Sequence, residues 1–209
     1  MRRLLLSWYG ITDIRSAMGF EYQGPILGAL KTERFDELHM LAYTKKSHFT
    51  DDEIVSQMQA IDELSRFVSD KKNIPREESW KYVDILANTT AGHAFYIDWL
   101  KRQLNDLSIN VKIVLHECFL SELNDTSGIY FSAVEALNSA SKIPDDEITF
   151  FLSPGTPVMA FSWALAMMES PKRSIKLLAS PDFRKGVQAV DLPESVLTHI
   201  EHWRSLRHE

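Results

Sequence analysis

The chain has 209 residues, 44% of them hydrophobic and 25% charged, with 23 basic side chains against 29 acidic, a net charge of −6. That balance suits one α/β domain with a real core and excludes intrinsic disorder, and it argues against a binder of double-stranded nucleic acid, which presents a basic face. No apolar run reaches the ~18 residues of a membrane span, and Ser7, Gly10, Thr12 and Asp13 interrupt the opening Met1–Leu6 too soon for a signal peptide. The single cysteine, Cys118, can form no internal disulfide, so a cytoplasmic location is expected.

In chain order, Leu4–Tyr9 reads as a buried strand ended by Gly10. Residues 10–23, with two glycines and mixed polarity, read as a loop. Gly24-Pro25 opens a short helix to about Lys31, since proline suits the first helical position. Phe35–Tyr43 reads as a second strand. Thr50 with Glu53 forms a capping box, and Ile54, Met58, Ile61, Leu64 and Val68 keep helical spacing after it. Lys71–Pro75 ends that helix, and residues 76–87 are undecided.

Asn88–His93 punctuates before a helix over about Ala94–Leu104. Val111–Cys118 is β-branched and reads as a strand, and Ser127–Ser141 as a helix. Pro144–Asp146 is a turn. Ile148–Leu152 is a continuous apolar strand of the kind buried on both faces of a parallel sheet. Ser153–Pro157 leads to an apolar helix over Val158–Met168. Ile175–Ala179 and Val187–Asp191 are short strands, and Pro193–Arg207 is a polar helix.

This alternation predicts an α/β, Rossmann-like, doubly wound and mostly parallel sheet. The close succession of the last two strands predicts a short antiparallel edge. Residues 45–90 lengthen one crossover and are expected to form a helical insertion in a domain spanning 1–192, with 193–209 as a C-terminal helix.

Ligands of open α/β sheets bind at the carboxyl ends of the strands. The first strand exits through Trp8-Tyr9-Gly10-Ile11-Thr12-Asp13, which contains neither GxGxxG nor GxxxxGK[ST], so dinucleotide and P-loop readings fall away. Trp8 and Tyr9 point to opposite faces; one is a candidate to reach a ligand base, and core filling is the default for either. The apolar strand exits through Ser153-Pro154-Gly155-Thr156-Pro157-Val158-Met159. There Gly155 permits close approach, Thr156 can cap the next helix, and Pro157 fits its first position. The helix start favours an anion; a tight turn without a ligand is the plain alternative.

Residues 171–187 hold Lys172, Arg173, Lys176, Arg184 and Lys185 against Asp182 alone. They are a solvated basic face or the attraction for an anionic ligand, with Lys176 the candidate contact. His199 and His202, with Glu201 between them, lack an evident third metal ligand and read as surface. His116 and Cys118 share one strand face and read as core rather than as a catalytic pair. His93, after Gly92, reads as a surface residue at a helix start. Val158, Phe161 and Ala164 fit either a dimer surface or internal core.

The run Ser153-Pro154-Gly155-Thr156-Pro157-Val158-Met159 after an apolar strand resembles the signature of CARF domains, the CRISPR-associated Rossmann fold. It is similar as well to the sensor domain of RNA-repair sigma-54 activators, in the same superfamily. Gly10-Ile11-Thr12-Asp13 resembles the family's first ligand loop. Glu122-Leu123-Asn124-Asp125-Thr126-Ser127 resembles the acidic-polar segment leading into the helix before its key strand, which makes Asn124 a candidate contact. Val187–Leu192 resembles its closing strand. The resemblance implies a sensor that binds a cyclic oligoadenylate of four or six units across a homodimer in type III CRISPR antiviral defence. It implies control of a fused or partner effector lying outside this chain, with no cofactor, no metal and no membrane. Two alternatives stay open: a sensor of RNA ends or fragments in a sigma-54-type regulator, and a slow ring nuclease using Ser7, Thr12, Ser153, Thr156 or Lys176.

Overall fold

In the computed structural model of the chain, six strands form one sheet in the order β3-β2-β1-β4-β5-β6. The structure describes residues 1–20, 23–46, 49–69, 76–170, 175–180 and 186–207. The strands are β1 (Arg3–Trp8), β2 (Glu37–Lys45), β3 (Lys112–Leu120), β4 (Glu147–Phe151), β5 (Ile175–Ala179) and β6 (Gln188–Ala189). All pairings are parallel except β5 with β6, which gives the expected antiparallel edge. β1 and β4 lie side by side at the centre, with Leu5 opposite Leu38 on one side and Thr149 on the other. Both are covered on both faces, and this is why Leu4–Trp8 and Ile148–Phe151 read as unbroken buried runs.

Among the described residues there are eight helices: α1 (Ile11–Ala17), α2 (Pro25–Thr32), α3 (Asp51–Ser69), α4 (Arg76–Leu86), α5 (Thr90–Asp106), α6 (Thr126–Ala140), α7 (Pro157–Glu169) and α8 (Glu194–Arg207). Side-chain alternation along the strands divides the core in two. Leu5, Leu38, Met40 and Phe151 pack with apolar residues of α1 to α5. Leu4, Leu6, Trp8, Leu41 and Phe150 pack with those of α6, α7 and α8. Phe150 stacks on Trp163 with ring centroids 4.6 Å apart.

Two segments differ from the sequence reading. Residues 11–17, expected as loop, are helix α1. The Asp13 carboxylate accepts the Gly10 N–H at 3.2 Å, while Ile14, Ala17 and Met18 are buried. One turn of apolar residues following a tight cap suffices because tertiary packing holds the helix. The undecided stretch 76–87 is mostly α4, which buries Tyr82, Val83 and Leu86 and offers the Trp80 ring to Arg15 of α1 at 5.0 Å. The Thr50–Glu53 capping box is present, with the Thr50 N–H donating to Glu53 Oε2 at 2.8 Å and the Glu53 N–H to Thr50 Oγ1 at 3.3 Å. Among the described residues, no helix is long and apolar enough to cross a membrane.

Candidate functional site

The strand order reverses direction between β1 and β4: β2 and β3 build outward on one side, β5 and β6 on the other. Such a switch point leaves a crevice at the carboxyl ends of the two central strands. The loops that leave those ends are the two singled out by sequence, and they touch. A Cβ placed on Gly10 would lie 3.0 Å from the Gly155 backbone nitrogen, so a side chain there would push the loops apart. Gly155 has φ +93°, a conformation that side chains disfavour, and its own Cβ would stand 2.6 Å from Met159 Sδ and 3.3 Å from Trp8 Cβ.

Thr156 is the N-cap of α7. Its Oγ1 accepts the Met159 N–H at 3.3 Å, and the Thr156 N–H points to Met159 Sδ at 3.4 Å. Pro157 occupies the first helical position, as expected. Ser153 Oγ accepts the Ser180 N–H and so ties the loop to the end of β5. The result is a rigid turn that directs a helix N-terminus into the crevice, where its dipole favours an anion.

The candidate residues fall into three groups. Gly10, Ile11, Thr12, Asn124, Ser153, Gly155, Thr156 and Pro157 are exposed or half-exposed at the carboxyl edge. Trp8, Tyr9, Asp13, Pro154 and Met159 are buried beneath the two loops. Both aromatic residues of the first exit are therefore core: Trp8 packs with α6 and α7, and Tyr9 lies against Tyr96 and His93 of α5.

Lys176 is the third case. It lies opposite Thr149 near the start of β5, about 13 Å along the strands from the level of Ser153, and bonds Glu33 at the amino edge. The structure does not bring it to the crevice. Its basic neighbours Lys172, Arg173, Arg184 and Lys185 lie outside the described residues.

Asp13 is wholly buried, and its carboxylate organises the first loop. Oδ1 accepts the Ile26 N–H at 3.0 Å, at the start of α2, and lies 3.5 Å from the Tyr96 hydroxyl; Oδ2 takes the Gly10 N–H. Burial pushes its pKa up to about 7, against the lowering effect of the N–H groups of Ile26 and Gly10 and of the Tyr96 hydroxyl. His93, expected at the surface, is also wholly buried; its Nε2 meets Thr44 Oγ1 at 3.2 Å. Burial brings its pKa down to about 4, so the ring is neutral at pH 7. The alternation of small and polar residues over 88–93 hid this, because Thr89 caps α5 and turns His93 inward.

His116 and Cys118 share one face of β3, as read, and that face is the α6 side of the sheet. His116 Nε2 is 3.0 Å from His39 Nδ1, and burial raises the Cys118 thiol to about 11, which keeps it protonated. Among the described residues, no group of three or more His, Cys, Asp and Glu is placed to hold a metal.

Sequence reasoning missed a wall of the crevice. β1 ends at Trp8 opposite Leu41, but β2 continues four residues further to Lys45, paired with β3 to Leu120. The two strands run about 13 Å beyond the level of Trp8, where β1 ends. Lys45 and Lys46 stand at the tip of this wall, both exposed. Only the register reveals them. A cavity of about 1130 Å³ is found elsewhere, at the amino edge between β4, β5, β6 and α8, and none of the exit-loop candidates lines it.

No protein-family model matches the chain, and no curated protein matches it. Among solved structures it is similar to Enterococcus italicus Csm6 bound to cyclic hexa-2'-fluoro-hexa-dAMP, at a TM-score of 0.50 and 17% identity over 97% of this chain. The fold is CARF-like. The chain spans 38% of the length of that Csm6 chain, and the likeness rests on the path of the backbone.

Proposed function

We propose that this CARF-like domain is a sensor that binds a cyclic oligoadenylate across a homodimer, and that binding controls an effector. The observation that carries this reading is the contact of the Gly10 and Gly155 loops at the switch point, under the start of α7. A crevice lined by glycine backbone and a helix N-terminus suits phosphates or ribose approaching closely. The similar Csm6 structure contains a cyclic hexanucleotide analogue.

The dimer reading has separate support. α7 has no charged residue before Glu169, and a helix apolar all round is ordinarily covered all round. Yet Pro157, Phe161 and Ala164 face outward, Phe161 with 59% of its surface exposed. Phe131 on the neighbouring α6 is 66% exposed. A second copy seated on α6 and α7 would cover these groups and duplicate the Gly155 loop about a two-fold axis, as a ring with repeated nucleotides requires.

The test is calorimetry of the chain against cyclic tetra-adenylate, cyclic hexa-adenylate and linear oligoadenylates with defined ends, with mass by light scattering. One ring per two chains is expected. A folded protein that binds neither ring overturns the reading, and selective binding of the linear RNAs would replace it with an RNA-end sensor. A slow ring nuclease has less support: Ser7 Oγ is buried against the Trp8 carbonyl, and the Thr156 hydroxyl caps α7.

A further inference from the structure

We propose that Lys45 and Lys46, at the projecting tip of β2, supply the positive charge that holds the ligand's phosphates, the role that sequence assigned to Lys176. This rests on the ring-sensor reading and names the charged contacts of that same site.

Three observations support it. The first is position: the register of β2 against β1 puts both lysines beyond the floor of the crevice, on the side where strands end and α1, α6 and α7 begin. The second is backbone order. The Lys45 N–H donates to the Asn88 carbonyl at 2.9 Å, and the Lys46 N–H to the Leu120 carbonyl at 3.2 Å, so both lysines start from a fixed frame.

The third is the state of the neighbouring charges. Lys45 feels Glu53, and Lys46 feels Asp125, so the two cations flank the tip toward α3 and α6 respectively. Both acids already have other work. Glu53 closes the α3 cap through Thr50, and Asp125 accepts N–H groups from Gly128 and Ser121 and the Ser121 hydroxyl. Both acids thus hold backbone groups in place, while the two lysines remain exposed. Lys176 is the reverse case, a cation bonded to a carboxylate at the far edge. An acidic chain that binds an anion needs its few available cations at the site, because exposed charges are screened beyond ~8 Å at physiological ionic strength.

The experiment compares wild type, Lys45→Ala, Lys46→Ala, the double variant and Lys176→Ala, each checked for folding by circular dichroism. Calorimetry uses cyclic hexa-adenylate and cyclic tetra-adenylate from about 50 mM to about 300 mM salt, because phosphate contacts make affinity fall with salt. The double variant should lose about tenfold or more in affinity and show a shallower salt dependence, and Lys176→Ala should match wild type. Wild-type affinity and salt slope in a folded double variant overturn the proposal while leaving the sensor reading intact. Failure of the wild type to bind either ring overturns the sensor reading and, with it, this assignment. A Lys46→Glu variant supplies a stronger perturbation at an exposed site, and its unchanged affinity would count against the proposal equally.

Discussion

At the amino edge of the sheet, the charges of the strand starts are matched to one another. Arg2 bridges Glu37 and Asp146, both at 2.6 Å; Arg3 reaches Glu33 at 2.6 Å and Glu147 at 3.3 Å; Lys112 and Lys176 close on Glu37 and Glu33. The carboxyl edge has the opposite character. Its groups are glycines, helix starts, hydroxyls, two exposed lysines and the cap carboxylates Glu53 and Asp125 beside them. The amino edge is a network that orders strand starts, with Glu33 held below the usual carboxylate range first by its bond to Lys176 and then by the charges of Lys176 and Arg3. The carboxyl edge keeps backbone and charge available. Charge density along the sequence therefore does not locate an anion site; what matters is whether each cation is already matched.

Substitution at the glycine contact should divide the two edges most sharply. Gly155→Val forces a β-branched residue into φ +93° and a clash with Met159, costing about 2–4 kcal/mol. It should abolish ring binding, read by calorimetry, while leaving the amino edge intact by spectroscopy. Retained affinity would remove this loop from the site.

Asp13 comes next. Asp13→Ala leaves the N–H groups of Gly10 and Ile26 without their acceptor, costing about 2–3 kcal/mol in denaturant melts. Its acidity sets a pH signature. The folded value, about 7, lies above the ordinary carboxyl value of 3.8, so between these the native state holds a proton that the unfolded state has lost. Stability from this group is then full below about pH 4 and declines as pH rises toward 7. Asp13→Asn keeps an acceptor oxygen and should flatten that decline. An unchanged slope would show that Asp13 does not titrate as its burial requires.

Asp146→Ala tests the opposite edge. It removes a buried acceptor from Arg2 and should cost about 1–3 kcal/mol in stability with ring affinity unchanged. Altered affinity would mean that the edges are coupled. Phe161→Asp places a charge on the outer face of α7 and should weaken self-association by about tenfold or more in light scattering. Equal dimer mass would move the interface off this helix. The smallest effect belongs to Lys176→Ala, expected to change stability by about 0.5 kcal/mol or less and binding not at all, since Lys176 is a partly exposed ion-pair partner.

Much of the architecture was legible in the sequence because its signals are local. The unbroken apolar run Ile148–Phe151 marked a strand covered on both sides, and Thr156-Pro157 marked the start of α7. Those are matters of side-chain chemistry within a few residues. α1 was not legible, since its seven residues are helical through packing on α4 and α5 rather than through propensity. His93 escaped for the same reason: nothing in its neighbours along the chain says that Thr44 and Tyr9 will enclose it.

The sequence by itself determined the alternation of strands and helices, the antiparallel end of the sheet and the two exit loops at Gly10 and Gly155. Tertiary structure alone decided which residues around those loops are free to act. Strand register sent Lys176 to one edge and lifted Lys45 and Lys46 above the other, and packing enclosed Trp8, Tyr9 and Asp13 in the core. The physical reason is that exposure and partnership are properties of neighbours in space. Periodicity and turn chemistry, by contrast, are properties of neighbours along the chain.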